Sequence, residues 1–165
     1  MKYQEIKTEA AAGQNVKIEE RVSLYELKAK KVKNTSFERV KITCSKDGFN
    51  YAQKFYQCDI NIYESFFLLA LDASNSTIGW AKISQGNINA TLVDSRILLK
   101  FALDLCAVSA MVIHNHPSGN KQASESDKKL TRKLQDQFAL LDINLLDHLI
   151  LVDNDYLSFA DQGLM

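Results

Sequence analysis

The amino-acid sequence predicts an α/β fold, a β-sheet with helices packed against it, and three observations carry that prediction. Glu64-Ser65-Phe66-Phe67-Leu68-Leu69-Ala70-Leu71-Asp72 is almost wholly apolar after its first residue, the composition of a strand buried on both faces. Two later stretches repeat apolar residues at helical spacing: Ile97, Leu98, Phe101, Ala102 and Leu105, then Leu130, Leu134 and Phe138. Strand-like runs at 108–114 and 145–152 alternate with these helices, the order expected of a sheet covered by helices.

Residues 1–15 mix charge with Ala10-Ala11-Ala12-Gly13 without a period and are expected to form a loose arm. From Val16 through Ile18, Val22 and Leu24, apolar and charged residues alternate, which suggests a strand or hairpin. Lys28, Lys30, Lys31 and Lys33 form a basic run; no aromatic or phosphate-binding motif accompanies it, so it reads as a solvated face. Phe37 to Cys44 alternates again, with Val40, Ile42 and Cys44 on one side. Ser45-Lys46-Asp47 then opens a short helix through Tyr56 that turns Phe49, Ala52 and Phe55 inward. Residues 1–57 are therefore expected to be a small N-terminal extension or the opening strands, and 58–165 the main domain. After the apolar strand come a turn at 73–76, a second strand from Thr77 to Ser84, and a turn at 85–87. Asp94 caps the first long helix, and Val108 to His114 forms the central strand. The second long helix runs from Ser124 to about Leu140. Leu145–Val152 and Tyr156–Phe159 complete the sheet. Trp80, Phe66 and Phe67 are expected in the core.

Length and composition bound the function. At 165 residues the chain can bury a core without disulfides. Basic and acidic residues balance at 20 each, so no global field argues for nucleic acid or membrane. The balance is uneven, however: residues 1–57 hold 12 basic and 7 acidic side chains, against 8 and 13 in 58–165. Cys44, Cys58 and Cys106 are widely spaced without a Cys-x-x-Cys pair, and are expected to be reduced, mostly buried thiols. No charged-then-apolar leader opens the sequence and no run is long enough to span a bilayer, so a cytoplasmic location is expected. Oligomeric state is left open.

The chemistry concentrates in Ile113-His114-Asn115-His116-Pro117-Ser118-Gly119 and Ser124-Glu125-Ser126-Asp127, where two of the three histidines lie. Residues i and i+2 of an extended chain project to one side, so both imidazoles can reach one ion. Pro117 ends the strand, and Ser118-Gly119-Asn120 is turn chemistry. Ser124 is a good N-cap with Asp127 three residues on, which places an ionised carboxylate in a first helical turn. Two neutral imidazoles and one carboxylate leave room on a zinc ion for a fourth ligand, which is the catalytic pattern. Each half alone has an ordinary explanation: a hydrogen-bonded histidine pair, and a capping box. Together they predict a metal site of His114, His116 and Asp127.

His-x-His, seven residues, Ser, two residues and Asp resembles the JAMM (JAB1/MPN+) metalloprotease family from about Glu64 to the C-terminus. The string from His114 to Gly119, with Asp147-His148-Leu149-Ile150, is similar to its bacterial RadC-like branch. Ala123 stands where that family carries a proline, which should loosen the loop entering the helix without removing a ligand. The resemblance implies a mixed β-sheet with flanking helices in the layered manner of JAMM and cytidine-deaminase folds. It also implies a zinc-dependent hydrolase of amide or isopeptide bonds, with one Zn2+ per chain and a peptide or protein substrate. Glu64 would be the catalytic glutamate that takes a proton from the water zinc activates and passes it to a leaving amine, with Asp59 the next candidate. Without the motif, Glu64 would read as a strand-end surface carboxylate. Ser124 would both cap the helix and help hold a developing oxyanion. A third imidazole ligand would break the family's pattern, so His148 is expected behind the ligands. Asn115 and Ser118 line the motif loop and are expected to orient ligands. The alternative is a catalytically silent module of the same fold acting beside DNA-processing machinery. The RadC-like association with DNA repair suggests it, and the basic excess of residues 1–57 supports it thinly.

Overall fold

The structure, a computed structural model, describes residues 38–56, 60–86 and 93–165. Its sheet is built around β1 (Ser65–Leu71), every residue of which is buried, as its apolar composition requires. β2 (Thr77–Gln85) and β3 (Ser109–Asn115) flank it, both antiparallel; β4 (Asn144–Val152) runs parallel to β3, and β5 (Asp155–Ser158) antiparallel to β4. The order β2-β1-β3-β4-β5 makes a mixed sheet. Three helices accompany it among the described residues: α1 (Ser45–Ala52), α2 (Ser95–Asp104) and α3 (Glu125–Ala139), the last forming the crossover that a parallel β3–β4 pair needs.

Period-two alternation along the strands sorts the core into two clusters. Phe67, Leu69 and Leu71 of β1, with Met111 and Ile113 of β3, pack against Phe49 and Ala52 of α1 and against Ile42. Phe66, Leu68 and Ala70, with Ala110 and Val112, pack instead against Leu98 and Ala102 of α2 and Leu134 and Phe138 of α3. The sheet is thus the middle layer of three, and both aromatic residues of the Phe66–Phe67 pair are fully enclosed, one on each side.

Several expectations need correction. Of the strand expected over 37–44, the described residues 38–44 form a single bridge, Lys41 with Ser76, because the segment follows the β1–β2 turn only briefly before Thr43 donates from N and Oγ1 to Asp47 and α1 begins. Ile42 is buried but Cys44, at the α1 N-cap, is exposed. Cys106 is exposed as well, in the left-handed turn (φ 52°) between α2 and β3. The stripe of α2 is narrower than expected: Leu98 and Ala102 are buried, whereas Ile97 (44%) and Phe101 face outward. Ile97 and Leu98 differ by about 100° around the helix and cannot both meet the sheet. Trp80 stacks on Phe55 at 4.8 Å but keeps 37% of its surface exposed. Ile42, Phe49, Tyr51, Ala52, Phe55 and Tyr56 share the core with β1. The expected strand from Val16 to Leu24, the lysine run, Cys58, Asp59 and the Asn87 position of the turn at 85–87 lie outside the described residues. No helix among those described is long and apolar enough to cross a membrane.

Candidate metal centre

β3 delivers the first imidazole and its extension the second. His114 is buried on the α2/α3 face of the sheet, opposite Phe66 of β1, and its ring stacks on that phenyl at 5.8 Å. The chain continues past the strand with the His116 amide donating to the Leu151 carbonyl at 3.0 Å, so His116 keeps extended geometry at the sheet's end. There Pro117 cannot continue the ladder, and Gly119 adopts φ 76°, a conformation that glycine takes without strain. This turn brings the Asn120 carbonyl within 2.6 Å of His116 Nδ1. A carbonyl only accepts, so Nδ1 carries the proton and Nε2 of neutral His116 presents a lone pair.

α3 supplies the carboxylate. Ser124 N and Oγ both donate to Asp127 Oδ2, at 2.8 and 2.6 Å, while the Asp127 amide donates to Ser124 Oγ at 3.1 Å, a complete capping box. The cap forms with alanine at position 123, where a proline was the family expectation. Asp127 Oδ1 lies 3.5 Å from His114 Nε2, Asp127 Oδ2 3.7 Å from His116 Nε2, and the two Nε2 atoms 3.0 Å from each other. Ligand bonds of about 2.0–2.1 Å in a tetrahedron put donor atoms about 3.3 Å apart, so these separations suit one zinc-sized ion. Nitrogen and oxygen donors of this mix are also what such an ion takes, and His114, His116 and Asp127 can hold one together. His114 is buried; His116 and Asp127 are half-buried.

The five residues singled out in the sequence line one cavity of 490 Å³: Glu64, His114, His116, Ser124 and Asp127, with Phe66 at its wall. Glu64 is half-buried just before β1, not within it, and its carbonyl accepts from Gly86 N at 2.9 Å. Ser118 also lines the cavity. Asn115 does not. It points to the other face, where its Oδ1 accepts from Ser65 N at 2.8 Å and its Nδ2 donates to the Ile60 and Tyr63 carbonyls at 2.5 and 2.8 Å. The residue expected to orient ligands therefore grips the backbone that carries Glu64. Asn115→Ala leaves one buried N–H and two carbonyls without these bonds and should lower unfolding free energy by about 3 kcal/mol, measured by denaturant titration.

Two buried residues stand behind His114: His148, which the sequence placed there, and Thr131, which it did not. His148, fully buried on β4, lies 2.7 Å through Nε2 from His114 Nδ1, and Thr131 Oγ1 lies 2.6 Å from His148 Nδ1. The signal for Thr131 was its position one helical turn beyond Asp127, on the same side of α3. His148 was expected behind the ligands, and its two ring nitrogens are both occupied there. Burial pushes the His114 imidazole down to about 4, with His116 adding to the effect and Asp127 opposing it. Burial likewise drives His148 well below the usual histidine range, helped by His114 and His116. Both rings stay neutral when folded but take up protons below about pH 6.5 when unfolded. The unfolded chain then binds more protons, so stability rises with pH. The metal-free protein should lose stability as pH falls below about 6.5, because both buried rings resist the protons that the unfolded chain takes up, and this contribution should be level above 6.5. Denaturation midpoints in chelator across that range test this.

A family model described as "RadC-like JAB domain" matches residues 42–164. A UPF0758 protein of Flavobacterium johnsoniae is 40% identical over 124 residues, covering 75% of this chain and 53% of that protein. One from Shewanella amazonensis is 33% identical over 135 residues, covering 82% and 60%. Another from Pseudomonas fluorescens is 41% identical over 101 residues, covering 61% and 45%. The chain thus spans about half the length of these curated relatives.

Proposed function

Because the chain belongs to the RadC-like JAB domain family, we propose that it is a zinc-dependent hydrolase of amide or isopeptide bonds acting on a peptide or protein, with one ion held by His114, His116 and Asp127. The observation that carries this is the convergence of two imidazoles and one carboxylate on a cavity whose wall includes a further acid, Glu64. Three protein ligands leave a coordination position open; zinc in such a site lowers the pKa of water to about 7 and polarises a carbonyl. The rest falls to the chain's own groups. Glu64 takes the proton that water gives up and returns it to the departing amine, which otherwise leaves as an unstable anion. Phe66 and Leu130 supply apolar wall that limits water around the reacting atoms. Ser124, whose hydroxyl proton rests on Asp127 in the capping box, serves an oxyanion only after turning away from that carboxylate. Ser124→Ala should cost about 1 kcal/mol of stability as a lost cap. A further drop of about a hundredfold in turnover assigns the oxyanion role; loss of stability alone assigns the hydroxyl to the helix.

The test is metal content after purification without added zinc, paired with cleavage of a fluorogenic isopeptide with and without chelator. Near-stoichiometric zinc and chelator-sensitive cleavage are expected. Zinc without cleavage favours the silent module, and absence of zinc overturns the site.

A further inference from the structure

The contacts behind His114 run in one direction. Thr131 Oγ1 lies 2.7 Å from the Asp127 carbonyl and 2.6 Å from His148 Nδ1, yet it has one proton to give. The carbonyl has none, so an oxygen–oxygen contact of that length requires the Thr131 hydroxyl to donate to Asp127, the backward bond a threonine makes within a helix. Thr131 can then only accept from His148, whose proton is therefore on Nδ1. His148 Nε2 is left bare and accepts from His114, whose proton is therefore on Nδ1 as well. The last atom in the sequence, His114 Nε2, carries a lone pair and faces His116 Nε2 and Asp127 Oδ1. Reversing the sequence would leave Thr131 and Asp127 oxygens in contact without a proton and put an N–H on the nitrogen that must bind the ion.

We infer that Thr131 and His148 are positioning residues that hold His114 in its Nδ1–H form and so present Nε2 to the cation; this rests on the metal site proposed above. Both have 0% of their surface exposed, so no solvent competes for these bonds. The ring of His148 is fixed by stacking on Phe159 at 4.6 Å and by the edge of Phe66 at 5.6 Å. Its place follows from the sheet: it pairs with Val112 across β3 and β4, which makes His114 its diagonal neighbour on one face. Ligand histidines usually lean on a carboxylate or a backbone carbonyl. Here a neutral ring passes the carbonyl's directionality onward without adding charge, so a bound ion would keep more of its positive character. The carbonyl belongs to Asp127, so one turn of α3 supplies a ligand and sets the tautomer of another.

Two-bond proton–nitrogen NMR of histidine-labelled, metal-free protein reads the three tautomers directly, and competition with a chromophoric chelator gives zinc affinity. His114 and His148 are expected to be protonated on Nδ1 in the wild type. Thr131→Val should release that preference and weaken zinc by about 10- to 100-fold, and Thr131→Ser should restore both. His148 protonated on Nε2 in the wild type, or a folded Thr131→Val protein with unchanged tautomer and affinity, overturns the inference; the wild-type spectrum decides even if Thr131→Val does not fold. A wild type with the expected tautomers and no zinc affinity would sink the proposed metal site while supporting the relay.

Discussion

A His116→Ala protein should leave purification without zinc while remaining folded. The side chain is half-buried at the end of the sheet, with Nδ1 on a loop carbonyl and Nε2 facing His114 and Asp127, so its removal opens no core cavity. It would reduce the three proposed ligands to two, fewer than catalytic zinc sites use. Asp127→Asn should give the same loss by a different route. Asparagine can still accept from Ser124 at the helix start, so the cap survives with a stability change below about 1 kcal/mol, while the ionised oxygen that faces the imidazoles disappears. Metal analysis together with denaturant unfolding separates the two effects. Wild-type zinc content in folded His116→Ala would remove these side chains from the role of ligands.

Glu64→Gln should keep zinc and lose turnover by about 10²- to 10⁴-fold, the usual contribution of a positioned proton carrier. Glutamine matches glutamate in size and hydrogen-bonding reach but cannot hold the transferred proton. The change lies at the cavity wall, half-buried, so the fold should tolerate it. Parallel measurements of kcat and bound zinc check this; a variant within about tenfold of wild type would transfer the proton role elsewhere.

The layered sheet was legible because burial on both faces forces an unbroken apolar strand, and Ser65–Leu71 has no other reading at that length. The site's spacing was legible because an extended His-x-His and a capping box have fixed local geometry, which needs no tertiary contact to specify. What the sequence hid were bonds between distant segments. Nothing local to Asn115 says that its amide reaches Ile60, Tyr63 and Ser65, and nothing local to Thr131 says that a histidine 17 positions later meets it. The α2 stripe misled for a related reason: apolar residues beside a helix's contact line satisfy the same periodicity whether or not a neighbour covers them.

The tripeptide His114-Asn115-His116 works on both surfaces of the sheet at once, imidazoles to one side and a backbone anchor to the other. Such an arrangement has no tolerance for a change in reading length. Deleting or inserting one residue between Ser109 and His114 would exchange the roles of the surfaces, turning an amide toward the cavity and an imidazole into the clamp. A change of length in the loops on either side would leave that assignment of surfaces intact, whereas within this stretch only a substitution does.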